Sequence, residues 1–188
     1  VKSKSFSFDD FVFIRNVNFM FYAIFVQEFE SWFFKYLTYH KVVLSEFIEQ
    51  FFSPSNKVIW PPAYLAFLSE FRRAILNEQF RTREELYVDT RDIFEANGNQ
   101  VGEPSRINVY YGARLIYLER DWIKEVLIKH VDYLNSHGGY CIDKEQAEFL
   151  ITVGEVERID LRGEISSVTL ECKYDILKWI KENYRSNL

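Results

Sequence analysis

A mainly α fold, an irregular multi-helix domain with at most one or two short strands, is what this 188-residue sequence predicts. Three observations predict it. Apolar residues recur at three- and four-residue spacing through most of the chain. Capping signals open several of those stretches. Polar–apolar alternation is confined to one short run near the carboxy terminus, Val168, Leu170 and Cys172, which admits one small strand.

The elements follow in order. Ser7-Phe8-Asp9-Asp10 is a capping signal, with a hydroxyl for an orphan N–H and early acids for the helix dipole. From Phe11 to Tyr39 only Arg15, Glu28, Glu30 and Lys35 carry charge, and 13 of the chain's 34 aromatics lie within residues 8–39. The uncharged run Asn16–Gln27 is 12 residues, short of the ~20 needed to cross a bilayer, so a transmembrane span is excluded. Apolar residues all round the element mark a helix buried on most sides. Unbroken, it would be roughly 48 Å long at ~1.5 Å per residue, against a radius of gyration of about 16 Å for a domain of this size. It therefore either breaks near Asn16–Asn18 or Gln27, or overhangs to meet another domain.

VVLSEFIEQFF reads as a short amphipathic helix, and Trp60-Pro61-Pro62 opens the next, because proline is tolerated in a first turn. Leu65, Leu68, Phe71, Ile75 and Leu76 give that helix its apolar face. Thr82-Arg83-Glu84-Glu85 is a capping box for a helix to about Ala96, and 97–104 is the clearest loop. Ile107–Tyr111 reads as a short strand or as the start of a helix; the continuation is helical by period until Gly138-Gly139. Asp143 with Gln146 caps a helix to about Arg158, and YDILKWIKENY closes the chain. One helical domain over 1–188 is expected, with residues 1–40 an aromatic-rich region suited to docking on another domain.

Composition excludes some functions. A net charge of −5 and pI near 5.3 argue against nucleic acid, since phosphates need a basic surface. Two cysteines, Cys141 and Cys172, are too few for a disulfide scaffold, and no secretory signal precedes the first helix, so a cytoplasmic location is expected. The only Met is Met20 and the chain starts at Val, which points to a piece of a longer polypeptide.

Candidate chemistry is sparse. His130 lies on the apolar stripe Ile123, Val126, Leu127, Leu134, where a hydrogen-bonded core histidine is the expectation. His137 and Cys141 make half of a zinc site with no second pair. His40 sits at a helix end, where a cation suits the dipole. No Glu-x-x-His, phosphate-loop or Gly-x-Ser-x-Gly pattern occurs. Arg106, Asn108 and Arg114 are polar groups in or beside the aromatic segment 107–118, where an unpaired charge is costly. They either bind partners within the core or meet an anionic group across an interface; the structural role is the expectation.

Several segments together resemble a family. These are Phe8-Asp9-Asp10-Phe11, Trp32–Leu37, Thr82–Leu86, Gly102–Asn108, Glu157–Arg162 and Tyr174–Trp179. The series is similar to the region following the catalytic barrel in radical S-adenosylmethionine enzymes with a cobalamin-binding domain, the broad group around anaerobic magnesium-protoporphyrin ester cyclase. The resemblance implies a parent oxidoreductase or methyltransferase using a [4Fe–4S] cluster, S-adenosylmethionine and cobalamin. The family's Cys-x3-Cys-x2-Cys and Asp-x-His-x-x-Gly motifs are both absent here, so no catalytic, cofactor-binding or metal-binding residue carries over. The resemblance thus implies an accessory domain whose partner is the barrel of the same polypeptide, helping form or cover the substrate cavity. The alternative is a free-standing adaptor binding a partner helix or an apolar small molecule in an aromatic groove. Both predict exposed apolar surface and self-association.

Overall fold

The computed structural model describes residues 7–77, 84, 91, 107–157, 171–184 and 188. Among these residues the chain forms eight helices and no strand. They are α1 (Phe8–Phe25), α2 (Ser31–Tyr39), α3 (Leu44–Phe52), α4 (Pro62–Asn77), α5 (Ile107–Tyr117), α6 (Arg120–His137), α7 (Lys144–Glu157) and α8 (Ile176–Lys181). The mainly α class is as the sequence predicts. Of the helix expected from the capping box Thr82–Glu85 to about Ala96 only residues 84 and 91 are described, both helical, and the loop 97–104, Arg106 and most of the 168–172 run lie outside the described residues.

Local chemistry sets the boundaries. Ser7 Oγ accepts from Asp10 N at 3.1 Å, while Asp10 Oδ2 accepts from Ser7 N at 2.7 Å, closing the box that starts α1. Residues 8–39 form two helices: α1 ends at Phe25, and a five-residue turn precedes α2. Pro62 is the first residue of α4, where its missing N–H removes no helical bond. Asp143 Oδ1 accepts from Glu145 N and Gln146 N at 2.9 and 3.2 Å, capping α7. At the end of α6 the chain turns through Gly138 and through Gly139 at φ +70°, a conformation open to glycine.

Three expectations are corrected. The stretch 107–134 is two helices, because Leu118 N and Glu119 N both donate to Arg114 O, at 2.8 and 3.0 Å, closing α5 two residues before α6 begins at Arg120. The segment 107–111 is helix from its first residue, so the strand alternative falls away. The final helix is also shorter than YDILKWIKENY. Asp175 Oδ1 caps it by accepting from Lys178 N at 2.9 Å, and Asn183 and Tyr184 turn left-handed after its end.

The helices pack in tiers. α3, α4 and α5 each touch both α1 and α6, so they lie between the two longest helices. α7 packs on α6 and on α2, and α2 returns to α1. Aromatic rings fill the middle. Phe19 of α1 lies 6.1 Å from Phe52 and 4.4 Å from Phe71 between ring centroids, and Phe71 continues to Tyr111 at 5.1 Å. A second run links Phe34, Phe47 and Phe51 to Tyr64, each step 5.3–6.2 Å. Tilted and edge-on pairs of this kind add about 0.5–1.5 kcal/mol each beyond area burial. Most of the rings that look excessive in the sequence are therefore spent on one another. No helix among the described residues is long and apolar enough to cross a membrane.

Candidate functional site

α1 buries Val12, Phe19, Met20, Ala23 and Ile24 against the tiers beneath it. Its opposite face is open. Ile14, Phe21 and Phe25 are 51%, 43% and 63% exposed, and their spacing of seven and four puts them on one stripe. The Phe21 and Phe25 rings are 5.2 Å apart, and Val26 extends the patch past the helix end. Fully burying such side chains is worth about 1.5–3 kcal/mol each, so the stripe keeps a substantial share of that gain unrealised. The helix is thus buried on one side only, short of the all-round burial its composition suggests.

Asn18 interrupts the stripe. Its Oδ1 accepts from Asn108 Nδ2 at 2.6 Å, which ties α1 to the first turn of α5. Further along, Gly112 of α5 meets Gln27 closely enough that a Cβ there would lie 1.7 Å from Gln27 Oε1. α5 therefore runs in the same sense as α1, and Val109 and Tyr110 stay exposed on it.

Arg114, six residues beyond Asn108, points elsewhere. Its Nη1 donates to Glu70 Oε2 at 2.6 Å, and its Nε and Nη2 donate to Glu119 Oε1 at 3.1 and 2.5 Å. The guanidinium also lies 5.5 Å from the centroids of both Phe67 and Tyr111. Partial burial works against its charge, but the bonds to Glu70 and Glu119 outweigh that and hold it above its ordinary value. Glu119 Oε2 accepts in turn from Trp122 Nε1 at 2.7 Å. The cluster locks α4, α5 and the start of α6 together. Asn108 and Arg114 thus serve separate contacts, and Arg106 lies outside the described residues.

The histidines divide. His130 is 1% exposed, boxed by Trp60, Phe47 and Phe51 at ring distances of 4.7, 5.4 and 5.7 Å. Its Nε2 lies 3.3 Å from Tyr64 Oη, whose hydroxyl donates to the Phe51 carbonyl. A neutral ring carrying its proton on Nε2 fits that pair. Burial pulls its pKa down to about 3. His40 departs from the helix-end cation expected of it. Burial lowers its pKa, only partly offset by Asp143, and its Nε2 is buried without a hydrogen-bond partner beside the Tyr36 ring. His137 stacks on Tyr133 at 4.4 Å and faces the Tyr133 carbonyl. Among the described residues no group of three His, Cys, Asp or Glu side chains is placed to share a metal ion.

An open groove of about 490 Å³ runs between α6 and α7. Its lysines are engaged: Lys144 with Asp132, Lys129 with Glu125, and Lys124 with Thr152. This leaves the α1 face as the surface best suited to binding.

No family model, curated protein or solved structure matches the chain. The site has to be read from its own residues. Sequence reasoning points to the aromatic wealth of α1 but not to which rings stay outside. The signal available was Asn18, a polar residue set among Ile14, Phe21 and Phe25 on one helical face.

Proposed function

We propose that this chain is a non-catalytic helical accessory domain that docks through the outward face of α1. The observation that carries the reading is the half-exposed stripe Ile14, Phe21 and Phe25 on a helix whose other face is sealed in an aromatic core. A domain able to bury Phe19, Phe33 and Phe71 completely has apolar capacity to spare, and rings left outside at helical spacing suit a second surface. The segment resemblance supplies the occupant: the catalytic barrel of a radical S-adenosylmethionine enzyme, against which α1 would wall part of the substrate cavity. On that reading the [4Fe–4S] cluster, S-adenosylmethionine and cobalamin are held by the parent enzyme's other domains. Cys141 and Cys172 are exposed and too few for the cluster motif.

Two measurements test this. The purified chain is expected to bind an apolar-surface dye, and F21S/F25S is expected to abolish the signal at unchanged Tm. Equal dye binding by that variant would remove the α1 face from the proposal. The reading frame upstream of Val1 is expected to encode Cys-x3-Cys-x2-Cys; a stop codon there would favour the adaptor with a partner helix or an apolar small molecule.

A further inference from the structure

The turn joining α1 to α2 is Val26-Gln27-Glu28-Phe29-Glu30, without glycine, proline or any short polar turn residue. Gln and Glu are good helix formers, so local preference continues the helix. The chain bends all the same, and Glu28 and Glu30 take positive φ values of 56° and 46°. Non-glycine residues rarely adopt that conformation, because Cβ crowds the following carbonyl oxygen. The helix ends by wide bonds instead of a glycine cap: Gln27 N donates to Tyr22 O at 3.2 Å and Phe29 N to Ala23 O at 2.9 Å.

Three side chains hold the bend. Phe29 is buried in the core, 6.2 Å from the Phe34 ring. The Gln27 amide fills the space left by Gly112 on α5. The Glu30 carboxylate is buried against α7, where a Cβ on Gly154 would lie 2.9 Å from Oε2. The bend is therefore imposed by tertiary contacts on a segment whose own preference is straight.

We infer that this turn is a hinge and that α1 is an exchangeable arm, traded between two copies of the chain. With Val26–Glu30 helical, residues 8–39 form one rod of roughly 48 Å, and both left-handed residues are relieved. The rod lifts α1 off its own seat, where Phe19 meets Phe52 and Phe71 and Asn18 meets Asn108. The occupant that fits this seat without new design is the α1 of a second copy, since every contact of Phe19 and Asn18 is reproduced across a closed two-fold exchange and only those of Gln27, Phe29 and Glu30 at the turn are given up. The inference does not rest on the docking reading, which concerns the exposed side chains of Ile14, Phe21 and Phe25; Asn18, at their edge, is the one residue that both touch.

Glu28 is exposed, so its substitution tests the hinge with little effect on packing. Glu28→Gly eases the left-handed turn and weakens the straight helix; Glu28→Ala does the reverse. Together they should shift the bent-to-straight ratio by about thirtyfold per turn. In a C141S/C172S background, one chain carries Asn18→Cys and another Asn108→Cys. The two are mixed, unfolded in urea and refolded together, then treated with a short bismaleimide. Exchange gives a covalent N18C–N108C product between chains, at least tenfold more abundant with E28A than with E28G. A single chain bearing both cysteines must crosslink within itself, which verifies the reach. If E28A does not fold, the Glu28 chain replaces it, with about a tenfold excess over E28G expected. Absence of the interchain product, or equal yields from the residue-28 variants, would overturn the exchange.

Discussion

His130 couples this fold to pH. It is neutral and enclosed when folded, where burial holds its pKa at about 3, well below the ~6.5 of a free imidazole. Above pH 6.5 neither state takes up a proton there, and the group has no effect. Below that, the unfolded chain gains the proton and the folded one does not, so stability falls by about 1.4 kcal/mol per pH unit until the folded pKa is approached. His40 is shifted in the same direction. Urea unfolding at pH 7, 6 and 5 should show this decline, and H130Q should show a shallower one; parallel slopes would contradict the assignment. Arg114 gives a second prediction. R114M leaves Glu119, only 13% exposed, without its cation, and should lose about 2 kcal/mol by urea midpoint. The core position of His130 was legible from its apolar stripe. Glu70 as the partner of Arg114 was not, because 44 residues separate them and only the packing of α4 on α5 brings them together. His40 was misread because helix-end logic ignores the burial of its ring beside Tyr36 and Tyr39.

Among the elements, those with their signals in their own first turn were legible. Ser7 and Asp10 start α1, Pro62 starts α4 and Asp143 starts α7, each where the sequence placed it. D143A should lower stability by about 1 kcal/mol, because the N–H groups of Glu145 and Gln146 lose their acceptor; an unchanged Tm would mean that another group replaces the cap. The break between α5 and α6 had no such mark. Leu118 and Glu119 are neither glycine nor proline. That corner is fixed by Arg114, which receives two backbone bonds at its carbonyl and binds the Glu119 side chain with its guanidinium. A helix terminated by side-chain pairing looks continuous to any reading of periodicity. The bend at Val26–Glu30 is hidden for the same kind of reason, since the residues that enforce it lie on α5 and α7.

At the scale of the whole molecule, the tiers depend on rings from different helices meeting at common points. Phe71 is one such point, touching Phe19, Phe52, Phe67 and Tyr111. F71A should therefore cost about 3–5 kcal/mol, a large fraction of the 5–15 kcal/mol by which domains are usually stable, and calorimetry would detect it as a steep fall in Tm. Three of the four tryptophans carry a practical consequence of this arrangement. Trp60 stacks on His130, Trp122 lies against Tyr64 and Phe67, and Trp179 fits between Tyr36 and Tyr184. Each of these three indoles thus occupies a different seam: the turn entering α4 on α6, α4 with the α5–α6 corner, and α8 on α2. Indole emission shifts to the red when water reaches the ring, so chains retaining one tryptophan apiece carry three separate optical gauges. Coincident transitions from all three would mark a single cooperative unit, and an earlier one from Trp179 would mark α8 as the first element to peel away.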